Sequence, residues 1–246
     1  MARSFNGTTD ELAATVTLSS TVVAPVSAMV WANNGVAAAG LRIALMLRNA
    51  SLQLYMRVGG LASNTMEFGY WNGSSDHRVA SGTTMTVGTW YCFVGTYDGT
   101  TYRIYTNGGT PATAADATGP SFAPLNEDIG YQDDTGSRFW NGSIAEVAWW
   151  NVVLTSLEAS ALAAGVRARD VRPSALRNWW PLDGLTTPEP DLWGAFSGSG
   201  KANLTATGTA SAFGPPLTLF TPPPAMGGIF PVSLPPPFTL MPQIVT

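Results

Sequence analysis

The chain has 246 residues, of which 11% are charged, with 12 basic and 16 acidic side chains and a net charge of −4. That share is under half the usual value of about 25%, and the length fits one large or two small domains, an all-β sandwich among them. A negative chain with a single lysine, Lys201, is excluded as a phosphate-tracking nucleic-acid binder; one cysteine, Cys92, excludes an intrachain disulfide, and one histidine, His77, excludes His-rich metal sites.

Met1 to Gly7 hold no apolar run of the secretory kind, so no leader is expected. Gly, Pro or a charge interrupts every long apolar stretch, so no membrane span is expected. In chain order, Leu41 to Leu47 and Leu52 to Val58 flank Arg48-Asn49-Ala50-Ser51, with arginines set between apolar residues. That pattern predicts strand, tight turn, strand. Trp71-Asn72-Gly73 signals the next turn. Trp90 to Thr96 and Thr101 to Thr106 are joined through Asp98-Gly99, and Asn107-Gly108 follows. Both dipeptides tolerate the positive φ of hairpin turns. Trp140-Asn141-Gly142 repeats the signal, and turn spacing of about 8 to 12 residues predicts an antiparallel two-sheet sandwich.

One helix is predicted. Thr155-Ser156-Leu157-Glu158 reads as a capping box, Ala159 to Ala164 are helix formers, and Gly165 fits the C′ position. Arg167, Arg169, Arg172 and Arg177 then read as a solvated helix end and loop. In Trp149-Trp150 and Trp179-Trp180 the two neighbours must face opposite sides of a strand, so one of each pair is expected in the core and the other outside it or under a cover.

From Ala202 to Thr246 there is no Asp, Glu, Lys, Arg or His, and ten of the 18 prolines fall there. Gly214-Pro215-Pro216, Pro222-Pro223-Pro224 and Pro235-Pro236-Pro237 favour extended polyproline conformation. Between them stand Leu217, Leu219, Phe220, Ile229, Phe230, Val232, Phe238, Leu240 and Met241. Apolar groups demand burial, unlike those of an ordinary polar tail. The expected organisation is a sandwich over residues 1–214 and an apolar, Pro-rich extended arm over 215–246, packed on its own domain or along a partner.

Several motifs in order carry a family resemblance. Ser4-Phe5-Asn6-Gly7-Thr8-Thr9-Asp10 is similar to the opening strand of laminin G-like, concanavalin A-like jelly-roll modules. Val26 to Ala32 is similar to their next Trp-bearing strand. Thr89 to Gly108 resembles their most diagnostic stretch, in which Trp, Thr-Tyr-Asp-Gly and Tyr-x-Asn-Gly recur. Asn141 to Thr155 resembles the strand that leads into the helix, and Asn178 to Gly184 the returning strand. The resemblance covers residues 4 to about 184 and implies an all-β jelly-roll sandwich of the kind found in pentraxins and in bacterial and phage surface proteins. It implies a scaffold rather than an activity.

The same sandwich carries glucanases, so catalysis needs a test. Their Glu-x-Asp-x-x-Glu pattern is absent; Glu127-Asp128 and Asp133-Asp134 are adjacent pairs that would diverge on a strand, and Glu189-Pro190-Asp191 sits in a Pro-rich loop. His77 follows Ser74-Ser75-Asp76 in a turn-like run and is expected on a surface loop. Cys92 is expected to be a buried small hydrophobe. No enzymatic activity is expected and no cofactor is required. Calcium is the one allowed: Asn126, Glu127, Asp128, Asp133 and Asp134 form an acidic loop similar in character to the pentraxin calcium site, with a solvated loop as the alternative. Asn6 and Ala145, where the family often has Asp, depart from it. For carbohydrate, Tyr70, Trp71, Tyr131, Arg138 and Trp140 are the expected loop-edge contacts.

The leading functional expectation is a non-enzymatic virion structural protein, a phage capsid decoration or head-fibre protein on the virion surface, docked through the arm onto capsid or a second copy. The alternative is a lectin-like adhesion or host-recognition module, extracellular by a route other than Sec. Surface glycans are the further partner; nucleic acid is not.

Overall fold

A computed structural model describes residues 2–15, 21–37, 40–132, 138–182, 188–194, 205–206, 209–211 and 215. Two antiparallel sheets face each other. The first has eight strands, ordered β11 (Ala112–Ala115), β10 (Thr101–Thr106), β9 (Trp90–Tyr97), β4 (Val26–Asn34), β14 (Asn141–Trp150), β1 (Ala2–Asn6) and β17 (Thr209–Ser211), with β15 (Leu176–Trp180) beside the far half of β14. The second has seven: β16 (Thr205–Ala206), β2 (Leu12–Thr15), β13 (Asn126–Ile129), β5 (Arg42–Arg48), β6 (Gln53–Val58), β7 (Thr65–Trp71) and β8 (Asp76–Thr84). A short ribbon pairs β3 (Val22–Val23) with β12 (Ser121–Phe122).

The two-residue period of a strand builds the core. Val30, Phe93, Ile104, Ile144 and Trp149 of the first sheet meet Leu45, Leu54, Met56, Phe68 and Val79 of the second. The hairpin turns form where the dipeptides predict them: Gly99 has φ 105°, and Asn107 and Gly108 have φ 50° and 71°.

A second apolar cluster covers the outer face of the eight-stranded sheet. Trp31, Cys92, Val94, Trp150 and Trp179 lie under Leu154, Ala159, Leu162, Ala168 and Val171. The last five belong to or flank α1 (Ser156–Ala163) and a 3₁₀ turn (Ala168–Asp170). Each tryptophan pair is thereby resolved: Trp149 and Trp180 enter the inter-sheet core, while Trp150 and Trp179 enter the second one. The Trp150 indole donates to the Val171 carbonyl at 2.8 Å.

The helix has both predicted ends. The Thr155 hydroxyl accepts from the Glu158 amide at 3.3 Å, and the Glu158 carboxylate accepts from the Thr155 amide at 2.8 Å. At the other end the Gly165 amide donates to Leu162 and the Val166 amide to Ala161, a Schellman closure with Gly165 at φ 95°. Among the described residues no helix is long and apolar enough to cross a membrane.

Candidate functional site

Among the described residues no helix covers the outer face of the seven-stranded sheet, and its chemistry is polar. Register sets Gln53, Tyr55 and Arg57 opposite Trp71, Gly69 and Glu67, which in turn stand opposite Asp76, Arg78 and Ala80. The alternate residues Leu54, Met56, Phe68, Tyr70 and Val79 face the core. Every second position on three adjacent strands therefore contributes to one surface.

An ionic lattice occupies it. The Tyr55 hydroxyl donates to Asp76 Oδ1 at 2.7 Å, and Arg57 Nη2 donates to Asp76 Oδ2 at 2.7 Å. Arg57 Nε donates to Glu67 Oε2 at 3.2 Å, and Arg78 Nε lies 3.3 Å from the same oxygen. Arg78 also pairs with Asp76, and the Leu61 amide donates to Glu67. The Arg57 guanidinium carbon sits 4.1 Å from the Tyr55 ring centroid. Gly69 makes this crossing fit, because a Cβ there would lie 2.4 Å from Arg78 Cβ and 2.8 Å from the Tyr55 hydroxyl.

Burial divides the lattice into support and contact. Tyr55, Arg57 and Glu67 are buried, whereas the Asp76 and Arg78 side chains keep 22% and 17% of their surface. Trp71 is half-buried and packs against the Ile43, Met46 and Tyr55 group, with half-buried Gln53 opposite it. Burial pushes the Asp76 carboxyl up, but hydrogen bonds from Arg57 and Tyr55 and the charges of Arg57 and Arg78 hold it below the usual carboxylate value. Burial also pushes the Tyr55 phenol up. The accessible part is thus an indole beside an ionised carboxylate and a guanidinium, both held in place from beneath.

The sequence-predicted carbohydrate contacts do not gather here. Of the five, only Trp71 belongs to this surface. Tyr70 points the other way, into the core, with its ring 6.2 Å from Phe122, because successive strand residues alternate. Trp140 is fully buried and its indole donates to the Asn33 carbonyl at 3.2 Å. These two are core residues and not loop-edge contacts. Tyr131 is buried and stacks on Phe139 at 4.9 Å. Arg138 is half-buried, donates to Gln132 Oε1 at 2.6 Å and accepts from the Ile43 amide. Tyr131 and Arg138 therefore lie beyond the Ile43 end of β5, whereas Trp71 lies across from its Arg48 end. Tyr55, Arg57, Glu67, Asp76 and Arg78 were not among the predicted positions. Their signal was the alternation Gln53-x-Tyr55-x-Arg57, Glu67-x-Gly69-x-Trp71 and Asp76-x-Arg78 across apolar neighbours.

The predicted acidic loop is also placed differently. Asn126, Glu127 and Asp128 form strand β13, not a solvated loop, and Glu127 and Asp128 are fully buried. Asp128 joins the outer face, where Arg48 Nε donates to it at 2.7 Å. Glu127 points inward. Asp133, Asp134 and the arm positions from Leu217 to Met241 lie outside the described residues. Among the described residues no group of three or more His, Cys, Asp or Glu side chains is placed to hold a metal ion.

His77 belongs to β8 and not to a surface loop. Its Nδ1 lies 2.7 Å from Asp116 Oδ2, and its Nε2 lies 3.0 Å from Asn72 Nδ2 and 3.3 Å from Ser75 Oγ. Asn72 Oδ1 accepts from the Ser74 and Ser75 amides, so its Nδ2 faces Nε2 as a donor. That bond occupies the lone pair a general base would use, and the trio ties β8 to the end of β11 instead. Cys92 is buried as predicted, and burial pushes its thiol up.

The family pattern described as the concanavalin A-like lectin/glucanases superfamily, of laminin G type, matches residues 6–160. The chain belongs to this family. Among solved structures it is similar to the heptameric SAP-like pentraxin of Limulus polyphemus, with 19% identity, TM-score 0.54, and coverage of 68% of this chain and 83% of that one. A Bacteroides ovatus protein assigned as carbohydrate-binding shares 20% identity at TM-score 0.59, over 84% of this chain and 57% of that one. Domain 4 of the extracellular arabinanase AbnA of Geobacillus stearothermophilus, solved with arabinotriose, shares 15% identity at TM-score 0.52, over 66% and 76%. At these identities the likeness is one of fold. No curated protein matches the chain in sequence.

Proposed function

We propose that this laminin G-like chain is a non-catalytic glycan-binding module whose contact surface is the outer face of the seven-stranded sheet. The observation that carries the reading is the half-buried Trp71 beside an Asp76 carboxylate that Tyr55, Arg57 and Arg78 hold ionised and oriented. A sugar ring stacks its apolar face on an indole, while a fixed carboxylate accepts from hydroxyls and a guanidinium donates to ring and hydroxyl oxygens. The acidic residues of this surface, Glu67, Asp76 and Asp128, are each engaged by an arginine, and Asp76 is held below its ordinary value, the opposite of what the acid of glycoside hydrolysis requires. The carbohydrate-binding description of the Bacteroides protein and the arabinotriose complex of the arabinanase domain agree with this assignment. Binding of the full chain to a glycan array tests it: Trp71→Ala and Asp76→Ala each abolish the signal while the fold is kept, and retention of binding by both variants refutes the surface.

A second reading concerns where the module works. The 45 residues from Ala202 onward carry no charge, which supports docking of an extended arm onto a capsid or a second copy by strand addition. In that reading the chain decorates a virion. Phe230→Asp with Phe238→Asp in the full chain releases it from the particle or dissolves its oligomer. A chain found only as a free monomer, absent from any particle, removes this reading and leaves the glycan surface untouched.

A further inference from the structure

Trp71 and Asp76 are cross-strand partners, and the turn that joins β7 to β8 between them is residues 72–75. The Asn72 amide closes it by donating to the Ser75 carbonyl at 3.2 Å. Within the turn, Asn72 Oδ1 accepts from the Ser74 amide, the Ser74 hydroxyl and the Ser75 amide, each at 2.9 Å. Three donors on one oxygen fix the side-chain amide, so Nδ2 is the atom that meets His77 Nε2, 3.0 Å away.

That contact settles the histidine tautomer. Nε2 accepts from Asn72, so Nδ1 carries the proton and donates to Asp116 Oδ2 at 2.7 Å. Asp116 follows the last residue of β11 in the other sheet, and its Oδ1 accepts from the Thr118 amide at 2.8 Å. Asn72, His77 and Asp116 thus form a line of hydrogen bonds from the Trp71–Asp76 turn to the facing sheet.

We propose, on the glycan-binding reading of this surface, that the line positions Trp71 against Asp76 and that a proton on His77 releases it and weakens binding. A second ring proton makes Nε2 a donor facing the two hydrogens of Asn72 Nδ2, and that bond is lost. Rotating the Asn72 amide would restore an acceptor but forfeit the three bonds to Oδ1. Ser75 Oγ, 3.3 Å from Nε2, accepts from it instead, which draws the turn into a second arrangement. Asp116 meanwhile gains a charged partner, so the sheets stay joined while the turn between the two contact residues is freed.

The flanking Asp76 and Arg78 of β8 face the outer surface and pair with each other. Strand β7 sets Tyr70 opposite His77. Strands β9 and β10 bring Tyr97 and Tyr102, whose hydroxyls donate to the Asp116 and Thr118 carbonyls at 3.2 and 2.7 Å. Asp98, at the turn between those strands, is paired with Arg103. Burial pushes the Asp116 carboxyl up, but the Thr118 amide and His77 hold it below the usual carboxylate value. Asp76, on which burial acts the same way, is held low by Arg57 and Tyr55. Both stay ionised through the range of about pH 5 to 8 in which histidines change charge. Glu127 stands on β13, with three strands between it and β8.

Nuclear magnetic resonance on the ¹⁵N-labelled full chain tests the line without a ligand. From pH 8 to 5.5 the His77 ring, the Asn72 side-chain amide and the Trp71 indole are expected to shift with one midpoint, while the indole of buried Trp140 stays still. His77→Gln holds the Asn72 and Trp71 signals fixed, and Asn72→Ala uncouples Trp71 from a histidine that still titrates. On a glycan array the native signal falls several-fold between pH 8 and 5.5, with melting showing the chain folded at both, and the His77→Gln signal stays level. Asn72 and Trp71 signals that ignore His77, or an array signal equal at both pH values, overturn the proposal. An array silent at both removes the glycan reading and with it the control of binding, a failure the resonances distinguish from a turn that ignores His77.

Discussion

Arg3 and Glu189 are 186 positions apart and form an ion pair of 3.0 Å with both side chains almost wholly buried. The pair pins the 188–194 segment to the first strand of the fold. Removing one partner of a buried pair leaves an uncompensated charge and costs about 3–5 kcal/mol. Arg3→Met is expected to lower stability by that order in urea unfolding, and adding Glu189→Leu to recover most of the loss. A double variant no more stable than Arg3→Met would show that the pair does not act as a unit.

Gly69 permits the crossing of Tyr55 and Arg78. Gly69→Ala puts a methyl group against both, and overpacking of this kind costs about 1–3 kcal/mol. The proposed glycan signal falls with it, because Asp76 loses its fixed donors. Chemical denaturation and array binding on the same variant check both halves.

Glu127 and Asp76 make opposite contributions to the pH dependence. Burial, with repulsion from Asp191 and Asp128, raises the Glu127 carboxyl well above its ordinary value. The folded chain keeps a proton that the unfolded chain releases above a pH of about 4.3. The associated stability is fully present below that pH and is lost as pH rises toward the folded-state value. Glu127→Gln is expected to flatten this limb in thermal melts between pH 5 and 9.

Asp76, although burial opposes its charge, is held below its ordinary value by Arg57, Tyr55 and Arg78. Its contribution is present above a pH of about 3.9 and is lost as pH falls through the folded-state value. Asp76→Asn is expected to shrink the acid limb of the stability curve, measured by melting between pH 2 and 5.

The helix depends on a local device. Thr155→Ala removes the acceptor for the Glu158 amide and is expected to cost about 1 kcal/mol. Thr155→Ser keeps the acceptor and nearly all of the stability, so comparison of the two melts isolates the cap.

The fold was legible where the signal is local. Asp98-Gly99, Asn107-Gly108 and the Thr155–Glu158 box form the turns and the helix start they encode, since a few neighbouring residues decide such conformations. The site was far less legible. Trp71 was visible as an aromatic near a turn, but Arg57, Glu67 and Arg78 acquire their meaning only from the register of β6, β7 and β8. A two-residue period shows that they share a side with their own strand neighbours, not which strand lies alongside. Tyr70 and Trp140 misled because an aromatic beside an Asn-Gly turn is equally suited to closing a core. Glu127 looked like part of an acidic loop, and a single sequence could not show that it turns inward toward a residue 64 positions later.

The second apolar cluster under α1 gives the module a front and a back. One broad face of the sandwich is roofed by its own helix and 3₁₀ turn, and the other, among the described residues, carries an ionic lattice with an indole at its margin. Copies fixed through the roofed side would all present the same chemistry outward. An array built in that orientation would gain strength from repetition, so that weak single contacts to a polymer could add into firm attachment.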